Sequence, residues 1–160
     1  MGPGGREGTG GVVQVDFYHL TADPIERVLP RIAERVLETG GRLLVVSGDE
    51  GLAARLDQHL WNYTPESFLP HGRAGEEGEA EQPVLIAAAI AIPPANGARA
   101  VALADGVWRD EALDFDRAFH FFDDVTVEAA RAAWRTLGGR EGVERNFWKR
   151  DEEGRWRKLA

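Results

Sequence analysis

The first half of the chain alternates short aliphatic runs with segments whose apolar residues recur at helical spacing. Residues 12–17 form a β-rich run, and residues 43–46 form an uninterrupted aliphatic run of the kind expected in a strand that is buried on both faces. Two helical patterns follow these runs, with apolar positions at Ile25, Val28, Leu29, Ile32, Val36 and Leu37, and then at Leu52, Ala53, Leu56 and Leu60. This alternation of strand and helix predicts βαβ units and a mainly parallel sheet.

Capping signals precede both predicted helices. Asp23 is predicted as the N-cap of the first helix, with Pro24 at the first helical position and Glu26 reaching back to complete a capping box. Ser47 and Glu50 have the spacing of a second capping box at the start of the next helix. These signals place each helix directly after a strand, as the βαβ interpretation requires.

The second half of the chain continues the same pattern with less regularity. Residues 84–92 and 98–103 are predicted as buried strands, and the acidic, Gly-rich residues 72–82 as a mobile surface loop. Residues 115–122 are short and aromatic, which fits either a strand or a strained turn. An Ala-rich helix is predicted over residues 125–137, started by Asp124 or Thr126.

The predicted fold class is α/β: a three-layer α/β/α, Rossmann-like single domain with a mainly parallel sheet and no nucleotide site. Residues 1–11 are Gly-rich and are predicted to form a flexible lead-in without the apolar core of a signal peptide. Residues 12–160 are predicted to form the domain, with residues 138–160 as a basic C-terminal extension. Within this extension, residues 147–156 combine aromatics with a turn signal and predict a hairpin.

Composition narrows the range of functions. The chain has 160 residues, no cysteine and a net charge of −8, so a disulfide framework and a thiolate zinc site are excluded and nonspecific binding to a polyanion is disfavoured. No apolar run approaches the ~20 residues that span a bilayer, and a cytoplasmic location is expected. The charge is uneven, because residues 131–160 carry nine Arg and Lys against five Asp and Glu. This basic region is either a solvated tail or a binding surface, and direct binding of DNA is one possible role for it.

Motifs for nucleotide, metal or nucleophile chemistry are weak. Residues 47–51 have the strand-turn-helix context of a phosphate loop, but Asp49 and Glu50 complement the helix dipole where an anion would bind. The histidines form no pair at helical spacing, and neither serine lies in a nucleophile-elbow pattern. No cofactor is therefore expected.

One enzymatic alternative remains, and it depends on an acidic stretch. Carboxylates are dense between residues 105 and 124, at Asp105, Asp110, Asp114, Asp116, Asp123 and Asp124. Carboxylate clusters hold Mg²⁺ in phosphoryl-transfer enzymes and nucleases. Helix capping and solvation also account for most of these residues, so the alternative is a metal-dependent phosphoryl-transfer or nuclease enzyme without a defined ligand set.

Two aromatic segments suggest protein partners. The first follows the second helix and contains Trp61, Phe68, Pro70 and His71, and large aromatics of this kind anchor interface cores. The alternative is that Trp61 and Phe68 cover the edge of the sheet. The second segment is Arg131, Trp134 and Arg135, whose spacing puts two guanidinium groups and one indole on one helical face.

The Arg131, Trp134 and Arg135 face has the chemistry to bind an acidic peptide. The arginines can pair with carboxylates while the indole shelters an apolar side chain, which suits a peptide that ends in an aromatic residue and its free carboxylate. The alternative is that Trp134 belongs to the core and both arginines merely extend along the surface to reach solvent.

Several motifs resemble the chi subunit family of bacterial DNA polymerase III. They lie in residues 16–20, 41–50, 55–57, 60–61, 65–71 and 74–76, and the ordered Leu-Trp, Glu-Ser-Phe and Pro-His elements are their specific part. The resemblance runs from about residue 12 to residue 137. It implies a non-enzymatic accessory subunit of the clamp-loader assembly, with a Rossmann-like fold that binds no nucleotide.

The resemblance also implies two partners. A psi subunit would form a heterodimer through a surface that includes Trp61 and Phe68, and Pro70 and His71 belong to the same segment. The acidic C-terminal tail of single-stranded-DNA-binding protein would bind at Arg131, Trp134 and Arg135. Nucleic acid would then be reached only indirectly.

The chain departs from the family pattern at the tail site and at its C-terminus. Trp134 stands where the family has a tyrosine, and Val127 stands where it has a lysine, so that charge is either absent or supplied by later basic residues. Residues 148–159 have no counterpart in the family.

Overall fold

The computed structural model describes residues 11–63 and 69–160. Three α-helices lie in this part of the chain, α1 (Ile25–Glu38), α2 (Glu50–Trp61) and α3 (Val127–Leu137). The strands are β1 (Val13–His19), β2 (Leu43–Val46), β3 (Gly72–Arg73), β4 (Val84–Ala87), β5 (Ala100–Leu103), β6 (Arg117–Phe122), β7 (Val143–Arg150) and β8 (Trp156–Lys158). Within the described ranges, no helix is both long enough and apolar enough to cross a membrane.

The strands form one sheet in the order β3-β4-β2-β5-β6-β1-β7-β8. Every neighbouring pair is parallel except β7 and β8, which are antiparallel. Helices α1 and α2 pack on one face through a cluster that includes Leu29 and Leu56, and α3 packs on the other face through Ala130 and Leu137. The three-layer α/β/α prediction is therefore confirmed.

Both predicted helix caps are wrong by one or two residues. The side chain of Asp23 does not cap α1; it accepts a hydrogen bond from Arg150 Nη1 at 2.6 Å. Helix α2 is capped by Asp49, not Ser47, because Asp49 Oδ1 accepts hydrogen bonds from the backbone N–H groups of Gly51 and Leu52. At α1, a tertiary contact takes the carboxylate away from the helix. At α2, a carboxylate closer to the helix performs the capping that local spacing assigns to Ser47.

The boundaries of two predicted elements change for reasons of pairing. The strand predicted over residues 84–92 ends at Ala87, because its neighbour β2 ends at Val46 and offers no partner beyond that point. The predicted loop over residues 72–82 instead contains the edge strand β3 and a short 3₁₀ helix, Glu79–Glu81. A two-residue strand and a single 3₁₀ turn are too short to leave a hydrophobic period in the sequence.

Three predictions in the second half of the chain are confirmed. Strand β6 lies in the interior of the sheet, so the aromatic residues 115–122 contain a strand and not a strained turn. Helix α3 begins after Thr126, although Asp123 accepts the hydrogen bonds from the N–H groups of Val125 and Thr126. The predicted hairpin is present as β7 and β8.

The basic C-terminal region is part of the sheet and not a solvated tail. Strand β7 runs parallel to β1 over seven residue pairs, from Val13 opposite Val143 to His19 opposite Lys149. This pairing makes β1 an interior strand and buries Asp16 completely. Helix α1 crosses the sheet from β1 back to β2. Strands β1, β7 and β8 therefore lie at the side of the sheet away from which α1 runs.

Candidate functional site

The predicted tail-binding residues lie on α3, where Trp134 is half-buried. Its ring packs edge-on against Phe17 and Phe147, at centroid distances of 5.3 and 5.5 Å, so one side of the indole belongs to the core. A guanidinium group lies over the ring at 4.0 Å, but it belongs to Arg145 of β7 and not to Arg131 or Arg135. One side of the ring is thus anchored in the core, as one of the two sequence interpretations expects, and the guanidinium of Arg145 lies over it, whereas binding of a peptide at Trp134 stays a prediction.

Arg145 is the functional candidate that sequence reasoning missed. Its Nη1 donates a hydrogen bond to the Trp134 carbonyl oxygen at 2.6 Å, which fixes the guanidinium against the end of α3. A Cβ at Gly138 would lie 2.8 Å from that guanidinium, so the glycine leaves the room that Arg145 occupies. No local signal could have revealed this residue, because it reaches Trp134 only through the pairing of β7 with β1.

Arg131 and Arg135 are both exposed on α3. Arg131 Nη1 forms an ion pair with Glu128 at 2.9 Å, and both side chains are more than half exposed. Such a surface pair contributes little stability, so a ligand carboxylate can replace Glu128 at small cost. Arg135 has no ion-pair partner in the part of the chain that the structure describes. We call Arg131, Trp134, Arg135 and Arg145 the Trp134 surface.

Val127, at the position of the family's lysine, packs against the hydrophobic cluster beneath α3. It contributes no charge to the Trp134 surface. Arg145 is a later basic residue, on β7, whose guanidinium lies over the indole of Trp134. That Arg145 takes the place of the family's lysine stays a prediction.

The second predicted surface lies at the end of α2. Trp61 is 53% exposed, and its ring meets that of His71 at a centroid distance of 5.1 Å. Pro70 is exposed and His71 is buried, whereas Phe68 lies outside the described residues. We call Trp61, Pro70 and His71 the Trp61 surface.

His71 is held on both sides of its imidazole ring. Nδ1 lies 2.7 Å from the carbonyl oxygen of Leu69, and Nε2 lies 2.9 Å from Oδ1 of Asp57 on α2. The ring therefore has one orientation and supports the exposed indole of Trp61 from beneath. An aromatic side chain that is both exposed and positioned in advance is typical of an interface anchor.

The acidic stretch has structural partners. Asp105 forms a two-point ion pair with Arg109 at 2.9 Å for each contact and also accepts from the N–H of Gly48 at 2.8 Å. Burial acts to raise the pKa of Asp105, but these hydrogen bonds outweigh it and hold that pKa below its ordinary value. Asp116 pairs with Arg99, and Asp124 pairs with His19.

No group of three or more potential metal ligands occurs among the described residues, which include the whole acidic stretch. Three of the carboxylates that the sequence brings close together, Asp105, Asp116 and Asp124, are directed by the fold toward three separate side chains, Arg109, Arg99 and His19. The metal-dependent alternative therefore has no geometric support.

The cleft at the carboxyl ends of β1, β5 and β6 is where Rossmann-like proteins bind nucleotides. Here it measures about 390 Å³ and its lining includes Asp23, Glu26, Asp105 and Asp123, with Arg55 as the basic residue. The side chain of Asp49 already accepts from the first N–H groups of α2. Both observations oppose phosphate binding at this cleft.

These features define a Rossmann-like α/β protein whose cleft at the carboxyl ends of the strands is acidic and does not suit a phosphate ligand. The chain belongs to the DNA polymerase III chi subunit family, since the family model described as DNA polymerase III chi subunit, HolC, matches residues 13–144. This family consists of non-catalytic accessory subunits of DNA polymerase III. The match ends within β7, just before Arg145.

Individual relatives agree with the family match. The chain is 35% identical over 88 residues to DNA polymerase III subunit chi of Pseudomonas aeruginosa, covering 53% of this chain and 59% of the relative. It is 41% identical over 78 residues to DNA polymerase III subunit chi of Escherichia coli K12, covering 44% and 53%. The chain thus spans between half and three fifths of the length of these relatives.

Proposed function

We propose that this protein acts in DNA replication as a non-catalytic accessory subunit of the DNA polymerase III holoenzyme. It joins the clamp loader, through a psi subunit, to the C-terminal tail of single-stranded-DNA-binding protein. The family assignment supports the replication role. The observation that carries the bridging role is the Trp134 surface, where the guanidinium of Arg145 lies over an indole that is anchored in the core, while Arg131 and Arg135 are exposed on the same helix.

The Trp134 surface has the chemistry that an acidic tail ending in Pro-Phe requires. Guanidinium groups pair with carboxylates through charge-assisted hydrogen bonds, and their planar donors suit the terminal carboxylate. Arg145 and Trp134 form a fixed base, while Arg131 and Arg135 are exposed and can pair with the peptide, Arg131 by exchanging Glu128 for a peptide carboxylate. Because the arginines are exposed, salt should weaken the interaction.

Arg135→Ala is expected to weaken binding of a labelled peptide that ends in acidic residues and Pro-Phe by about tenfold, because one charge-assisted contact is worth about 1.5 kcal/mol. Fluorescence anisotropy at low salt measures the affinity. Arg27→Ala is the matched control, since Arg27 is an exposed arginine on α1, across the sheet from α3. Trp134→Ala is a less clear test, because it also removes contacts with Phe17 and Phe147.

Two results would reject the tail-binding proposal. One is a wild-type protein that does not bind the peptide at low salt. The other is equal binding by the Arg135→Ala and Arg27→Ala variants, which would show that the peptide binds elsewhere or responds only to overall charge.

The Trp61 surface is proposed as the psi interface. Its support is the exposed indole of Trp61, which packs against the ring of His71. That histidine is held by Asp57 and belongs to the Pro-His element that resembles the family. The two proposed interfaces lie on different elements, α2 and α3, which pack on opposite faces of the sheet. Both partners can therefore bind at once, as a bridging subunit requires.

Trp61→Ala is expected to weaken the complex with a psi subunit by at least about thirtyfold, since truncation of an aromatic anchor costs about 2 kcal/mol or more. Isothermal titration calorimetry with purified psi measures the change. Ile92→Ala is the control, because Ile92 is a comparably exposed apolar residue, 47% exposed, outside this surface. An unchanged affinity for Trp61→Ala would remove Trp61 from the interface.

A further inference from the structure

A groove lined by arginines lies on the α1 face of the sheet, between α1 and the β7–β8 hairpin. It encloses about 710 Å³, and its basic lining residues are Arg31, Arg35, Arg117, Arg150 and Arg155. No aspartate or glutamate is among its lining residues. In a chain with net charge −8, this concentration of cations is a local exception that the overall composition does not predict. We call it the arginine groove.

The groove exists because the sheet extends further than the helices that cover it. Helix α1 leaves the neighbourhood of β1 to reach β2, so β7 and β8 continue beyond it on this face. The side chains that would otherwise be covered by a helix instead form the floor, and they are aromatic: Tyr18, Trp148 and Trp156.

The aromatic floor is held in a fixed geometry. Tyr18 and Trp148 lie nearly parallel, with an interplanar angle of 14° and centroids 6.3 Å apart, and Trp156 meets Tyr18 edge-on at 5.0 Å. The indole Nε1 of Trp148 donates to the buried carboxylate of Asp16 at 3.1 Å. The result is an aromatic floor in which Trp148 and Trp156 are half-buried and packed on the buried ring of Tyr18, and whose shape does not depend on a ligand.

The five arginines divide into two groups. Arg117 and Arg150 have internal partners, Asp16 at 2.8 Å and Asp23 at 2.6 Å. Arg31, Arg35 and Arg155 are exposed and have no ion-pair partner within residues 11–63 and 69–160. The first group neutralises the buried carboxylate of Asp16 and the partly exposed one of Asp23, and the second leaves three positive charges available to an anion.

Two further details concern the interior of the groove. Burial, and after it the charge of Asp16, raise the pKa of Tyr18 to about 12, while Arg117 and Arg35 act in the opposite direction with smaller effect, so the phenol stays protonated at neutral pH and adds no negative charge to the groove. The Nε–H of Arg150 is buried and has no hydrogen-bond acceptor in the described structure. It is a donor that an entering anion can satisfy after a small shift of the side chain.

We propose that the arginine groove binds single-stranded nucleic acid, with phosphates at Arg31, Arg35 and Arg155 and bases against the aromatic floor. Cationic grooves with aromatic platforms are the usual means of binding single strands without sequence preference. The three available arginines are spread over two walls, one turn of α1 and the hairpin turn, which matches a chain of repeated phosphates better than one peptide carboxylate. This site goes beyond the proposed adaptor role, which reaches DNA only through a partner protein.

Fluorescence anisotropy of a labelled oligothymidine with the full-length protein at low salt tests the groove. The wild type is expected to bind, with a logarithmic salt dependence of slope about −2, because each phosphate neutralised on a single strand contributes about −0.7. Arg31→Ala/Arg35→Ala is expected to lose about tenfold or more in affinity. Both positions are exposed on α1, so this variant keeps the fold.

Arg27→Ala/Arg140→Ala is the matched control, since it removes the same charge from exposed arginines outside the groove. The control is expected to bind the oligonucleotide like the wild type. Equal losses in both variants would overturn the proposal by showing that binding follows net charge alone. Failure of the wild type to bind at low salt would overturn it directly.

A competition experiment separates nucleic acid from an acidic peptide as the occupant. A polyglutamate peptide that displaces the oligonucleotide and binds more tightly than it would overturn the nucleic-acid assignment. The peptide ending in Pro-Phe is expected to bind the Arg31→Ala/Arg35→Ala variant unchanged. This last measurement distinguishes failure of the groove proposal from failure of the tail-binding proposal, because the two use residues on opposite faces of the sheet.

Discussion

Replacing Asp16 with asparagine is expected to lower the free energy of unfolding by about 3 kcal/mol, because the change leaves buried donors without their acceptor. Asp16 is completely buried. Its carboxylate accepts hydrogen bonds from Gln14, Arg117, Asn146 and Trp148 at 2.8–3.1 Å. An asparagine would keep one oxygen but would place an N–H₂ group against donors, and Arg117 would lose its counter-charge.

Urea denaturation at neutral pH measures this effect, with Asp116→Asn as the matched control. Asp116 pairs with Arg99 at 2.7 Å, but both side chains are largely exposed, at 41% and 65%. A surface pair of this kind contributes about 1 kcal/mol or less. If Asp16→Asn is no more destabilising than Asp116→Asn, the buried network does not hold β1, β6 and β7 together as described.

A second expected result concerns His120 and acid. The imidazole is buried on the α3 face of the sheet between Phe17 and Trp108, at centroid distances of 5.2 and 5.6 Å. Neither ring nitrogen has a hydrogen-bond partner among the described residues. Burial lowers the pKa of His120 to about 4. Asp105 acts to raise this pKa and Arg109 to lower it, both with smaller effects than burial.

The sign of the effect follows from proton binding. Between the ordinary histidine pKa of about 6.5 and the folded-state pKa, the unfolded chain binds a proton that the folded chain does not, so stability falls as the pH falls. The loss from this one group amounts to about 3 kcal/mol over the whole window, and to about 2 kcal/mol between pH 7 and pH 5.

His120→Phe keeps an aromatic ring in place and removes the titration. The difference in unfolding free energy between pH 7 and pH 5 is expected to be smaller in the variant than in the wild type by about 2 kcal/mol. Using this difference cancels any cost of fitting the larger ring, because that cost is the same at both pH values. An identical pH dependence in the two proteins would show that His120 is not buried in its neutral form.

The Trp134 surface shows how far local patterns reach. The spacing of Arg131, Trp134 and Arg135 put one indole and two guanidinium groups on a helical face, and α3 confirms the helix. The spacing could not show that Arg145 covers the ring, since the two residues meet only because β7 pairs with β1. Whether these residues bind the tail stays a prediction for the peptide experiment.

The caps illustrate the opposite limit. Asp23 has the local spacing of an N-cap, but a tertiary ion pair with Arg150 is available to it and takes its carboxylate away from the helix. Asp23 and Arg150 are far apart in the sequence, so nothing near either residue signals the exchange. Local hydrogen bonds compete with distant ones, and the sequence window contains only the local candidates.

The sequence by itself determined the α/β class, the central aliphatic strands, the three helices and the family. These features follow from short-range periodicity and ordered motifs, which the chain carries whatever its tertiary arrangement. Only the tertiary structure decided that the basic C-terminus joins the sheet beside β1. That pairing buries Asp16, brings Arg145 to Trp134 and forms the arginine groove, because parallel pairing is fixed by long-range packing and leaves no local signal in either strand.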